Sequence, residues 1–139
     1  MTPTRRSSEE GGVPHAFLSD GVRGYRSADG AAFVRRESSG SGATWILCAV
    51  GEFDSESVSC LREALLDARQ DGCDRILLDL SGVTFGDSSF LHELIRSHHG
   101  PGRLVLVGPM TDQIRRLFEI TGTLRLFHIA LGRGSADLA

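Results

Sequence analysis

The chain has 139 residues and a net charge of −3, from 15 cationic and 18 anionic side chains. That length suits one domain around one core and is short for two. The two signs are well mixed along the chain, which leaves no basic footprint for nucleic acid.

Every cation is Arg, and the chain has neither Lys nor Asn, the coding pattern of a GC-rich genome. The opening "MTPTRRSSEEGG" has no apolar stretch after its arginines, so no signal peptide is expected. The longest apolar run, 45–50, is far short of the roughly 20 residues that span a bilayer. A cytoplasmic protein with no membrane span is expected. Cys48, Cys60 and Cys73 stand twelve or more positions apart, without metal or redox spacing. They read as reduced thiols packed like small hydrophobes.

Residues 1–30 are rich in Ser, Gly and Arg, with short apolar islands at 15–18 and Val22 and no sustained period. They read as a flexible N-terminal extension. A domain over 31–132 and a polar tail over 133–139 complete the expected organisation. Residues 32–35 read as a short edge strand, and "SSGSG" at 38–42 as a turn joining it antiparallel to the next strand. That strand, 44–50, is a continuous apolar run. "GEFDSES" then turns the chain, and Asp54 or Ser55 can cap a helix reaching Gln70 or Asp71. Val58, Leu61, Leu65 and Ala68 share one helical face, and Gly72 stops the helix.

"RILLDL" at 75–80 is apolar on both faces, the pattern of a central strand covered on two sides. "SGVTFGDSS" leads into a helix over 88–97, which "GPG" at 100–102 breaks. A strand at 103–107 follows. Thr111 can cap a third helix whose core face is Ile114, Leu117 and Phe118, and Gly122 stops it. A last strand is predicted over 124–129. Strands alternating with helices imply right-handed crossovers and an α/β fold with a largely parallel sheet.

The stretch "FGDSSF", 85–90, poses the functional question, because it sets two serines on a strand-to-helix turn. An α/β-hydrolase nucleophile would need Gly-x-Ser-x-Gly, and Phe90 stands where the last Gly belongs. "FGDS" also resembles the Gly-Asp-Ser-Leu esterases, but three residues before His128 stands Arg125 instead of an Asp. A serine without a positioned base is a poor nucleophile. "HELIR", 92–96, starts like a zinc motif but has Arg96 at the second ligand position. His92, His98 and His99 read as solvated side chains near a helix C-terminus. No phosphate-binding Gly-rich loop is present, and no metal or cofactor is expected. At the start of a helix Ser88 and Ser89 can instead carry an added negative charge, and Asp87 or Ser88 can be a plain N-cap.

"DRILLDLSGVTFGDSSFLHELI" resembles the central signature of STAS domains, specifically the bacterial anti-sigma factor antagonists. "GEFDSESVSCLREALLDA" and "GRLVLVGPMTDQIRRLFEITGT" resemble the segments on either side of it, so the likeness runs over about 31–130. The resemblance implies a STAS-like mixed, mostly parallel sheet of about five strands with three to four helices. It implies a binding module rather than an enzyme. Its partners would be an anti-sigma factor with serine kinase activity, and a serine phosphatase. The unmodified antagonist binds the anti-sigma factor and so releases a sigma factor for transcription. Phosphorylation of the serine after the Asp, here Ser88, ends that binding, and Ser89 is a secondary acceptor. Partner contacts are expected at Asp54, Asp87, Ser88, Ser89, Phe90 and Glu93. The alternative is a non-switching STAS scaffold or accessory subunit of a signalling or lipid-transport complex.

Phe90 departs from the family pattern, which has Gly after the serine pair. Pointing inward it is a core residue of little consequence. Pointing outward it obstructs a kinase or forms an apolar hot spot.

Overall fold

The computed structural model describes residues 15–19, 22–37 and 43–132. Among the described residues seven strands form one sheet in chain order, and three helices cross over between its later strands. Strands β1 (His15–Ser19), β2 (Val22–Arg26), β3 (Ala32–Glu37) and β4 (Thr44–Phe53) pair antiparallel. From β4 onward the pairing is parallel through β5 (Arg75–Gly86), β6 (Arg103–Val107) and β7 (His128–Ala130). Helices α1 (Ser59–Gln70), α2 (Ser88–His98) and α3 (Asp112–Thr121) fill three of these connections. The sheet is thus mixed, as expected, and half of its pairings are antiparallel.

Alternation along the strands divides the core. Trp45, Leu47 and Ala49 of β4, Ile76, Leu78 and Leu80 of β5, and Leu104 and Leu106 of β6 pack with residues of all three helices in one cluster. Their odd-even partners Leu77, Val105, Val107 and Ala130 form a smaller cluster against Ile46. Among the described residues that smaller cluster contains no helical side chain, so the apolar run of β5 is buried on both faces but meets helices on one.

Three expectations need correction. Strands β1 and β2 lie within the segment read as a flexible extension, and residues 1–14 fall outside the described residues, as does the tail at 133–139. Two five-residue strands, the second carrying Gly24 and two Arg, leave little apolar period to read. A single aromatic decides the matter: Tyr25 is fully buried, and its hydroxyl donates to Asp67 Oδ2 of α1 at 2.5 Å. With β1 and β2 present, β3 is an interior strand and not an edge. The last strand is also shorter than predicted, because Leu124–Leu126 form a 3-10 turn before β7.

Helix α1 begins later than its capping signals suggest. Asp54 Oδ1 accepts the backbone N–H groups of Glu56 and Ser57 at 2.9 and 3.0 Å, making a turn ahead of the helix. These bonds favour the ionised form and hold the Asp54 carboxyl below its ordinary range. Gly51 lies just before this turn at φ +105°, where a Cβ would come within 2.2 Å of the Ala31 carbonyl oxygen. Only glycine allows that approach between β3 and the end of β4.

Candidate functional site

The parallel strands β4 and β5 end side by side, with Phe53 paired to Gly86. Asp87 follows at φ −116°, ψ −162°, and its backbone N–H donates to the Phe53 carbonyl at 3.3 Å. Its carboxylate caps α2: Oδ1 accepts the N–H of Ser89 at 2.8 Å and that of Phe90 at 3.4 Å. Two of the helix's leading donors are therefore satisfied by one side chain. Ser88 is exposed and Ser89 half-buried, and neither hydroxyl makes a hydrogen bond among the described residues. No imidazole or carboxylate is bonded to either oxygen, so nothing in this arrangement activates a nucleophile.

Phe90 points inward. It is 0% exposed, and its ring lies 5.5 Å from that of Phe53 at 37°. Gly86 makes room for it, since a Cβ there would lie 2.5 Å from Phe90 Cδ2 and 3.0 Å from Ile114 Cδ1. The expectation that Phe90 contacts a partner is corrected: α2 lies over the sheet end, and its third residue faces the core. Ser88, two residues before it, faces solvent, and Ser89 is half-buried.

The turn carrying the serines is also clamped from α3. The Gln113 side-chain amide accepts the Gly86 N–H at 2.9 Å and donates to the Gly86 carbonyl at 3.0 Å. Thr111, predicted as a capping side chain, instead donates its hydroxyl to the Val83 carbonyl at 3.0 Å. Neither clamp could be read from spacing, because each joins residues 27 or 28 positions apart.

An open groove of about 440 Å³ runs between α1 and α2. Ser88, Ser89, His92 and Glu93 line it from α2, and Ser55, Val58 and Arg62 from the other side. Of the residues expected to meet a partner, Ser88, Ser89 and Glu93 therefore share one concavity. Asp54 sits in the adjoining turn, and Asp87 lies beneath as the cap. Glu93 is only 4% exposed, and its Oε1 accepts from Arg62 Nε at 3.0 Å. It belongs to the floor of the groove rather than to an open contact surface. Arg62 and Gln113 escaped the sequence reading, and His92 was read only as a solvated side chain near a helix C-terminus; it is their convergence on Ser88 and Gly86 that marks them.

No cluster of three or more His, Cys, Asp or Glu that could hold a metal occurs among the described residues. His98 stacks edge-on against Phe127, with His99 and His128 nearby, at the opposite end of α2 from the serines. Burial, and then these two imidazoles, push its pKa down.

A family model described as "Mlab, STAS domain" matches residues 38–128. The chain belongs to the STAS family. An anti-sigma-B factor antagonist of Staphylococcus aureus is 37% identical over 86 residues, covering 59% of this chain and 79% of that protein. The same-named protein of Staphylococcus epidermidis is 33% identical over the same length. Among solved structures, an anti-sigma factor antagonist from Mycobacterium paratuberculosis superposes with a TM-score of 0.70 at 21% identity, over 78% of this chain and 92% of that one. The unphosphorylated form of the antagonist SpoIIAA superposes at 0.59 and 22% identity, over 75% and 93%. At these identities the structural likeness speaks for the STAS fold. STAS domains of this group are regulatory binding proteins and not enzymes, and no described helix is long and apolar enough to cross a membrane.

Proposed function

We propose that this STAS domain is an anti-sigma factor antagonist that binds a kinase-type anti-sigma factor, frees a sigma factor, and is switched off by phosphorylation of Ser88. The observation that carries this reading is Ser88 itself. It is the exposed first residue of α2, with an unbonded hydroxyl at the mouth of a groove. In the proposed switch, Ser88 Oγ bonds to the γ-phosphorus of the partner's ATP as the bond to ADP breaks. The hydroxyl proton passes to the kinase. The product carries about −1.5 to −2 charges at pH 7. Beside Asp87 and Glu93, that charge opposes an acidic or apolar partner surface while the fold survives. A separate phosphatase hydrolyses the ester and resets the domain. Ser89, half-buried in the same groove, is the secondary acceptor.

The non-switching scaffold, in a signalling or lipid-transport complex, drew its support from an obstructing Phe90, and a fully buried Phe90 removes that ground. The test is intact mass after incubation with the cognate anti-sigma kinase and ATP, with partner binding measured before and after. The proposal expects one added phosphate, at most a minor fraction of it on Ser88→Ala through Ser89, and loss of binding on phosphorylation. A full phosphate load on Ser88→Ala removes Ser88 from the role. Co-purification with a permease or a multi-copy assembly in place of a kinase supports the scaffold.

A further inference from the structure

Resting on that reading, we infer that Arg62 is the cation that receives the Ser88 phosphate within the domain, and that Glu93 is the positioning residue that holds it ready. Three observations converge. Arg62 on α1 and Ser88 on α2 line the same groove. Arg62 is anchored through Nε alone, at 3.0 Å from Glu93 Oε1, and its two terminal guanidinium nitrogens have no hydrogen-bond partner among the described residues. The anchor is firm, because the Glu93 side chain is only 5% exposed while that of Arg62 is 45% exposed. A guanidinium presents five N–H donors in a fixed fork, so it can keep its bond to Glu93 and still offer a pair to a phosphate.

The helix end by itself offers less. Two of its leading N–H groups are already committed to the Asp87 carboxylate. Asp87 and Glu93 also place two carboxylates near any phosphate on Ser88, so a facing cation is what offsets the repulsion. His92, one helical turn beyond Ser88 on the same face, is a further donor in the groove. A phosphate bridged in this way stays in the groove and is presented to the partner as an ion pair on the surface. Arg62 then governs how strongly the mark is held, whereas Ser88 governs whether it is placed.

The test installs phosphoserine at position 88 during translation of the full chain, so it needs no kinase. A failed kinase assay and a failed clamp are thereby distinguishable. The probe is the 31P titration of the phosphoserine in the parent chain and in Arg62→Gln. An opposite charge in contact lowers the second phosphate ionisation, so Arg62→Gln is expected to raise the midpoint by about half a unit or more. In 1 M salt, where the screening length is about 3 Å, a contact pair keeps this difference and a distant charge loses it. Equal midpoints, or a difference that disappears in 1 M salt, overturn the inference. If Arg62→Gln does not fold, the Arg62 Nε–H resonance of the parent chain decides, compared between serine and phosphoserine at position 88. A moved resonance supports the clamp, and an unmoved one overturns it.

Discussion

Replacing Gly86 with Ala should destabilise this domain, and removing the Phe90 ring should relieve most of that cost. The added Cβ would lie 2.5 and 2.9 Å from two ring atoms of Phe90 and 3.0 Å from Ile114 Cδ1. Carbon atoms attract best at about 3.5–4.0 Å, so the ring would have to move. Phe90 is 0% exposed and wedged against Phe53, which leaves no easy direction. Overpacking of this kind costs about 1–3 kcal/mol. Phe90→Ala should cost more, about 3–5 kcal/mol, through lost burial and the cavity left behind. In the double variant the new methyl enters space the ring has vacated. Its cost should then fall below the sum of the singles by about 1–2 kcal/mol. Trp45, the chain's only tryptophan and nearly fully buried, reports urea unfolding by fluorescence in all four proteins. Additivity within about 0.5 kcal/mol is what independent sites show, and that result would refute the argument. The same packing means that writing the family's Gly at position 90 alone opens a cavity beneath the serine turn.

Three further outcomes are expected. Burial and the bond to Asp67 push the Tyr25 phenol well above its ordinary ionisation range. A raised folded pKa gives stability that is complete below the unfolded value, about 10, and lost as pH rises past it. The single tyrosine should therefore ionise by ultraviolet absorbance together with alkaline unfolding; a normal titration while folded would contradict this. Arg62→Gln should cost about 1–3 kcal/mol in urea unfolding because it strands the buried Glu93, whereas Glu93→Gln should cost under about 1 kcal/mol because Arg62 reaches solvent. Equal losses would argue against a buried, partner-dependent Glu93. Burial pushes the Cys60 thiol up to about 12, so it should resist a thiol reagent in the folded protein and react after denaturation. Fast labelling of Cys60 by mass mapping would show that α1 opens.

The parallel half of the sheet was legible from the chain because its signals are local. Runs such as "RILLDL" and "RLVLV" supply strands, and helical spacing supplies α1 and α3. A cap at Asp87 or Ser88 followed from residue type and position, and the structure assigns it to Asp87, with Ser88 opening the helix. The first two strands were not legible, because the contacts that tie β2 to the core are distant in sequence: Tyr25 donates to Asp67 of α1, and Arg23 pairs with the same carboxylate at 3.3 Å.

The site divides in the same way. The sequence by itself determined which serine stands at the helix start and that no base accompanies it. Only the tertiary structure decided the direction of Phe90, because the space it fills is made by Gly86 four residues earlier and by Ile114 on another helix. Only the tertiary structure brought Arg62 beside Glu93, and Gln113 onto Gly86, across separations of 31 and 27 residues. Propensity and period act over a few residues. The orientation of a side chain at a junction is set by whichever distant groups leave it room, and no local pattern encodes that.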